Sequence, residues 1–184
     1  MFIETLTVLL ALTGYDASYA PIVSHARTAC NWHEDAREDG FLWALVAIEK
    51  ASGVVPDYAR GITLAATCRE SRGSRRKCGD GGKSCGILQM RTWAVRTYGI
   101  DRFDPYQSAK AWLHRVGVVA KKARRLCKKR RAFLVANAWV GSGPKGYTCR
   151  YSRHWQLLRK WKQLIRIREK AAQVKRSRPS KRWQ

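Results

Sequence analysis

The sequence predicts a mostly α-helical domain, with at most a small β-hairpin between residues 75 and 90. Apolar residues recur at spacings of three and four along most of the chain, which is the period of a helix. No stretch of useful length alternates apolar and polar residues, as a half-buried strand would. The 184 residues suit one domain with its own core, and we find no internal repeat.

Capping and breaking residues divide this domain into six predicted helices. They span residues 35 or 39 to 50, 56–70, 91–98, about two dozen residues from 104, 132–140 and 152–174. Asp35 or Asp39 is the candidate cap of the first helix, Gly99 stops the third, and Asp104 with Pro105 begins the fourth. Residues 21–35 are predicted to be an irregular lead-in. Residues 175–184 are predicted to be a disordered basic tail.

The first twenty residues are predicted to be an export signal. Leu6 to Leu12 form an apolar run far shorter than the roughly 20 residues that a membrane-spanning helix needs. Ser18-Tyr19-Ala20 follows as a small-x-small cleavage site, although no Lys or Arg precedes the run and Pro21 would begin the mature chain. We therefore expect a periplasmic or secreted protein without a transmembrane segment, whose domain spans residues 21–174.

The cysteine content agrees with export. Six cysteines are an even number, which fits three disulfides in an oxidising compartment, but the sequence leaves their pairing open. Cys78 and Cys85 are the easiest local pair and would pin the glycine-rich loop between them. No C-x-x-C motif occurs and the four histidines are scattered, so we expect no metal site and no cofactor.

The net charge of +24, from 37 Lys and Arg against 13 Asp and Glu, favours a polyanionic partner. Nucleic acid, anionic lipid head groups and bacterial wall polymers all qualify, as does a cationic surface with no specific partner. Eight tryptophans are many for this length, so some of them are expected to line a binding surface. Four lie on helical stripes and are expected mainly in the core: Trp93, Trp112, Trp155 and Trp161.

Glu70 is the candidate catalytic acid. It ends a predicted apolar helix immediately before a loop rich in Gly and Cys. Burial raises the pKa of a carboxyl group, and such a loop can form one wall of a cleft. The neighbouring cations of residues 69–77 act in the opposite direction, so they would need to point away from the carboxyl for it to stay protonated.

Three motifs follow one another in the chain: Glu70-Ser71, Gly86-x-x-Gln89, and an aromatic and glycine turn at 139–146. Their order resembles the soluble lytic transglycosylase domain of the lysozyme-like superfamily over about residues 55–160. The string C-G-D-G-G-K-S-C-G-I-L-Q is also similar to goose-type and invertebrate-type lysozymes. The usual Tyr-Asn of the last motif is replaced here by Trp139-Val140. The resemblance implies a lysozyme-like fold.

The resemblance also implies a peptidoglycan glycosidase that cuts the β-1,4 bond between N-acetylmuramic acid and N-acetylglucosamine, and we expect it to be a monomer. In a lytic transglycosylase, Glu70 alone would act as acid and then base, because the C6 hydroxyl of the sugar attacks. In a hydrolysing lysozyme, Asp80 would supply the second carboxylate, although an Asp before two glycines is also a common turn residue. A third possibility is a non-enzymatic cationic binder of wall polymer or, without sequence specificity, of nucleic acid.

Four further residues are candidate substrate contacts: Ser71, Gln89, Met90 and Trp139. Each of three has an alternative structural role. Ser71 could hold the loop by a hydrogen bond, and Gln89 could satisfy backbone groups in the interior. Trp139 is either a platform on which a sugar stacks or a core residue.

Overall fold

The computed structural model describes residues 15–38, 40–128, 131–140 and 148–177. Within these ranges the chain is mostly α-helical, as predicted, with one small antiparallel sheet. The helices are α1 (Ala20–Ala29), α2 (Phe41–Ala51), α3 (Ile62–Glu70), α4 (Thr92–Tyr98), α5 (Pro105–Cys127), α6 (Ala132–Trp139) and α7 (Arg153–Ser177). None of these helices combines the length and the apolar character needed to cross a bilayer. The apolar run at 6–12 and the turn at 141–146 lie outside the described residues.

The larger part of the predicted irregular lead-in at 21–35 is instead a helix, which ends at Ala29. Pro21 lies in the first turn of α1, where its fixed φ and its missing N–H are tolerated. Ile22, Val23 and Ala26 are buried along one stripe of this helix. We missed the helix because it has only ten residues and contains His and Ser between its apolar positions, so packing against the core decides its conformation.

The residue before α1 belongs to the core. Tyr19 caps the helix, is 4% exposed, and donates a hydrogen bond from its hydroxyl to Glu49 Oε1 at 3.0 Å. Cleavage after Ala20 stays a prediction, but such a cut would remove this ring and this hydrogen bond.

Glycines precede both α2 and α3, and of the two candidate caps of the first helix Asp39 lies outside the described residues. Gly40 precedes α2 with φ of 96°, while Asp35 Oδ2 accepts a hydrogen bond from the backbone N–H of Arg75 and so ties down the later loop. The predicted helix 56–70 begins six residues late. It opens with a 3₁₀ turn at Asp57–Ala59, and Gly61 at φ of 85° then redirects the chain into α3.

The later helices follow their sequence signals closely. Gly99 ends α4 in the left-handed conformation, and the Asp104 carboxylate caps α5 by accepting from the N–H groups of Tyr106 and Gln107. Helix α7 continues to Ser177, three residues beyond the predicted end, so the first three residues of the predicted tail are helical, and the rest of it lies outside the described residues.

The sheet consists of β1 (Cys78–Gly79), β2 (Ser84–Cys85) and β3 (Met90–Arg91), paired in that order. It extends the predicted hairpin by a third strand. Cys78 and Cys85 are register partners and form the predicted local disulfide. The other two disulfides join Cys30 to Cys68 and Cys127 to Cys149, so all six cysteines are paired.

Helix α3 lies at the centre of the packing and positions the residue at its end. It packs against α1, α2 and α7. Leu64, Ala65 and Ala66 are completely buried, as is Leu158 of α7. The helix that carries Glu70 is therefore fixed by the core, which holds the carboxyl group in a defined place.

Candidate active site

A cavity of about 650 Å³ opens where α3, the small sheet, α4, α5, α6 and the start of α7 meet. Both predicted catalytic carboxylates, Glu70 and Asp80, line it. Gln89 and Met90 line it as well. The other side chains on its wall come mainly from α4, α5 and residues 148–156.

Glu70 is the last residue of α3, and its side chain is 35% exposed toward the cavity. Its Oε1 lies 2.6 Å from Nε2 of His154. The ammonium group of Lys77, one of the cations flagged near Glu70 in the sequence, donates instead to the backbone carbonyl of Glu70 at 2.8 Å. This position at the C-terminal end of a helix is favourable for a cation.

His154 links Glu70 to Asn137. Nδ1 of His154 lies 2.9 Å from Oδ1 of Asn137. An amide oxygen only accepts hydrogen bonds, so Nδ1 is the donor. The 2.6 Å contact on the other side of the ring then needs a second proton, located between Nε2 and the Glu70 carboxyl group. The Glu70–His154 pair therefore holds one transferable proton.

The surroundings of Glu70 act on its pKa in opposite directions. Burial raises the pKa of the carboxyl group, as expected for a residue at the end of a core helix. The hydrogen bond from His154 and the charges of His154, Arg153 and Arg69 outweigh burial, and the pKa of Glu70 lies below its ordinary value. The expectation that burial keeps Glu70 itself protonated is thus corrected.

Asp80 is held in a turn on the cavity wall. It begins a 3₁₀ turn with φ of 51°, and Oδ2 accepts a hydrogen bond from Ser84 Oγ at 3.0 Å. Nη2 of Arg91 lies 3.8 Å from the same oxygen, and the Asp80 side chain is 62% exposed. Asp80 thus has the contacts of a turn residue while its carboxylate remains open to the cavity.

Gln89 combines both roles that the sequence left open. Its Nε2 donates to the backbone carbonyls of Lys77 and Gly86, each at 2.9 Å, and thereby supports the loop. The residue also lines the cavity, next to the buried Met90.

Two predicted substrate contacts lie in the interior instead. Ser71 is 3% exposed, and its Oγ donates to the carbonyl of Ile87 at 2.8 Å, which fixes the loop against the end of α3. Trp139 is 2% exposed, and its Nε1 donates to the carbonyl of Thr148 at 2.8 Å. Neither residue is on the described cavity wall, so the loop-holding role of Ser71 and the core role of Trp139 agree with their positions.

Sequence reasoning missed His154 and Asn137. Trp139-Val140 stand in place of the Tyr-Asn of the lytic transglycosylase motif. Asn137, two residues before Trp139, nevertheless supplies an amide to the cavity wall. This offset was the signal that could have revealed Asn137. His154 is a single histidine at the start of a basic helix, and nothing in its sequence neighbourhood marks it.

Trp93 and Arg115 form a second feature of the cavity wall. Trp93 was expected in the core, but it is 42% exposed and lines the cavity, because the short helix α4 turns it outward. The guanidinium carbon of Arg115, on α5, lies 5.2 Å from the centre of the Trp93 ring. The other three tryptophans predicted to be core residues are buried.

The described residues include no cluster of three or more His, Cys, Asp or Glu side chains that could bind a metal ion. The cavity brings together the Glu70–His154 pair, a second carboxylate and an exposed indole. Comparison of the chain with protein-family models, with curated proteins and with solved structures found no match.

Proposed function

We propose that the protein cleaves the β-1,4 bond between N-acetylmuramic acid and N-acetylglucosamine in peptidoglycan, by the lytic transglycosylase reaction. The observation that carries this proposal is the Glu70–His154 pair, with 2.6 Å between Oε1 and Nε2, on the wall of a cavity of about 650 Å³. The order of the Glu-Ser and Gly-x-x-Gln motifs supports it, because Glu70 and Gln89, one residue from each motif, line this cavity.

In the first step, the proton held by the pair passes through Glu70 to the glycosidic O4, and the C1–O4 bond breaks. The positive charge that develops at C1 is stabilised by the carboxylate left on Glu70. In the second step, the C6 hydroxyl of the same sugar forms a bond to C1 and returns its proton to the pair. No water is consumed, and the pair ends in its starting state.

Asn137 and His154 make one carboxyl group sufficient for this reaction. Asn137 accepts from Nδ1 and so fixes the tautomer in which Nε2 faces Glu70. His154 then holds the proton while Glu70 is ionised and gives it back when the leaving oxygen approaches.

The hydrolysing lysozyme is the second candidate, and the position of Asp80 on the same cavity wall favours it. In this version Asp80 would act as nucleophile or would activate water. Its contacts with Ser84 and Arg91 also suit a turn residue, which is why we rank this candidate second.

A periplasmic or secreted location fits this function. Three disulfides are typical of proteins in oxidising compartments. The net charge of +24 would concentrate the protein on anionic wall polymers, an attraction that added salt should weaken.

The test is mass spectrometry of the products from purified peptidoglycan digested in ¹⁸O-labelled water. We expect 1,6-anhydromuramyl ends without the label. Reducing ends that carry ¹⁸O would replace the proposal by the lysozyme and direct mutagenesis to Asp80. No cleavage by protein whose folding is confirmed by circular dichroism would overturn both versions and leave the cationic binder. Glu169→Gln, on the exposed face of α7, is a control for removing a glutamate.

A further inference from the structure

We propose that Arg115 and Trp93 form a carboxylate-binding subsite that recognises the acidic branch of the glycan. The branch is the lactyl group on each muramyl residue, which ends in a free carboxylate or continues into an acidic peptide. This inference rests on the proposed function, since it names which form of the glycan the cavity prefers.

The two side chains form one surface although they come from different helices. The guanidinium carbon of Arg115 lies 5.2 Å from the centre of the Trp93 ring, and both residues line the cavity. Contact with an indole face holds a guanidinium by cation–π attraction. The Arg115 donors are thereby held in a defined orientation, while Trp93 remains 42% exposed and open to a ligand.

One N–H group of Arg115 has no hydrogen-bond acceptor among the described residues. This group is the buried Nε–H. A buried donor without a partner costs free energy and needs an explanation, and here the donor belongs to a side chain on a cavity wall. A ligand that brings an acceptor into the cavity supplies this explanation.

The charge of the cavity wall indicates that the ligand is an anion. The described wall contains four arginines and two carboxylates: Arg91, Arg115, Arg150 and Arg153 against Glu70 and Asp80. Arg91 lies 3.8 Å from Asp80, and the charge of Arg153 acts on Glu70. Two arginines therefore remain in excess, which a neutral polysaccharide such as chitin would not use.

A carboxylate matches the geometry of this donor set. The planar guanidinium offers two parallel N–H groups that bind both oxygens of a carboxylate, and a rigid orientation makes this pairing specific. Arg115 is three residues after Trp112 on α5, about one helical turn. The Trp112 ring is in edge contact with the His154 ring, with 6.2 Å between their centres. The subsite and the Glu70–His154 pair therefore line the same cavity, and Trp112 links their walls.

The experiment compares kcat/KM of the wild type, Arg115→Gln and Arg96→Gln on native peptidoglycan and on peptidoglycan whose carboxylates are converted to amides with a carbodiimide and an amine. Arg96 is exposed on α4 and does not line the cavity, so this control removes an equal charge close by. We expect the wild type to prefer the native polymer by about tenfold. Arg115→Gln should bring this ratio close to one, while Arg96→Gln should retain it.

An unchanged ratio in Arg115→Gln, or an equal fall in Arg96→Gln, would overturn the subsite. Peptidoglycan stripped of peptides by an amidase identifies the source of the carboxylate. Preference for stripped over amidated stripped strands assigns the lactyl carboxylate, and loss of the preference on stripping assigns the peptide carboxylates.

A binding measurement keeps this inference separate from the proposed activity. The soluble disaccharide-peptide N-acetylglucosaminyl-N-acetylmuramyl-peptide lacks the scissile bond and can be titrated calorimetrically into each variant. We expect about tenfold weaker binding to Arg115→Gln and no change for Arg96→Gln. If the wild type cleaves no substrate, the proposed activity fails and this titration alone decides the subsite. Equal binding of the acid and amide forms to the wild type would contradict it.

Discussion

Two glutamates serve opposite ends of the same helix, and they differ in what surrounds them. Glu49 is buried at the N-terminal end of α3, whereas Glu70 is the last residue of α3 and is partly open to the cavity. The pKa of Glu49 lies above the ordinary value for a glutamate and the pKa of Glu70 lies below it. The more deeply buried carboxyl group is therefore not the candidate catalyst.

The partners of Glu49 are fixed donors. Its carboxyl group accepts from the backbone N–H groups of Gly61 at 2.7 Å and Thr63 at 2.8 Å, and from the hydroxyl of Tyr19. Burial raises the pKa of Glu49 more than these hydrogen bonds lower it. By accepting from Gly61 and Thr63 the carboxyl group caps the start of α3, and none of its three donors gives up its proton near neutral pH.

The partner of Glu70 is a titratable ring at a cavity. His154 can hold a proton or release it, and the carboxyl group has access to a ligand. The comparison teaches that burial alone does not produce a catalytic acid. The proposed role also requires a proton-exchanging partner and an open side, and of these two glutamates Glu70 has both.

The largest expected effect comes from Glu70→Gln, which removes the group that transfers the proton. Cleavage of peptidoglycan should fall by about 10²–10⁴-fold, or roughly 3–5 kcal/mol of activation free energy. The fall is measured as the rate of release of soluble glycan, with the exposed Glu169→Gln as control. Retention of full activity by Glu70→Gln would remove Glu70 from the mechanism.

Glu49→Gln should act on stability and leave the cavity intact. The amide has one oxygen, so one of the N–H groups of Gly61 and Thr63 would face an NH₂ group, at a cost of about 1–3 kcal/mol. Urea unfolding with the disulfides intact measures this loss. An equal loss in Glu34→Gln, which lies in the exposed 3₁₀ turn before α2, would show that the cap is not responsible.

The pH dependence of the free energy of unfolding of Glu49→Gln and Glu70→Gln separates the two glutamates further. A raised pKa in the folded protein means that Glu49 contributes stability below the ordinary value of 4.5 and loses it as pH rises through its folded pKa. The difference in free energy of unfolding between the wild type and Glu49→Gln should therefore become smaller from acid to neutral pH. Glu70 has a lowered pKa and contributes stability above pH 4.5. The difference in free energy of unfolding between the wild type and Glu70→Gln should therefore become smaller as pH falls. Parallel trends would refute the comparison.

His154→Gln should change the pKa of Glu70 while the Glu70 side chain itself remains in the cavity. Loss of the ring removes the hydrogen bond and the charge that lower the pKa of Glu70, while burial remains, so this pKa should rise. Activity should fall by about tenfold, roughly 1.4 kcal/mol, because the proton is no longer held in place. NMR titration of the Glu70 carboxyl carbon and the pH profile of kcat measure both effects.

His114→Gln provides the matched control for this variant. His114 is exposed on α5 and lies outside the cavity wall, in edge contact with Tyr98. A Glu70 pKa that stays the same in His154→Gln would show that the ring has only a packing role.

The sequence predicted those parts of the structure that depend on neighbouring residues. Gly99 and Asp104 act within one turn of the helices that they end or begin, and Cys78 pairs with Cys85 across a short hairpin. Glu70 was recognisable because its motif is contiguous. Helix α1 was missed because packing against distant helices, not its own pattern, stabilises it.

The partner of Glu70 could not be predicted in the same way. His154 is separated from Glu70 by 84 positions, and only the packing of α7 against α3 brings the two together. Asn137 and Trp93 depend likewise on how α6 and α4 are turned in the fold. The sequence thus pointed to Glu70 as a candidate acid, whose role stays a prediction, but the partner that lowers its pKa is a product of tertiary structure.

The smallest expected effect is that of Tyr19→Phe, which removes one of the three donors to Glu49 and keeps the ring. We expect a loss of about 0.5–1.5 kcal/mol, because Gly61 and Thr63 still satisfy the carboxyl group. Tyr15→Phe is the control, since Tyr15 is 63% exposed.

The same measurement bears on the predicted cleavage after Ala20, because a chain that begins at Pro21 lacks both the hydroxyl and the buried ring of Tyr19. That chain should therefore lose more stability than Tyr19→Phe does. Equal stability of the two would mean that the Tyr19 ring contributes nothing to the core.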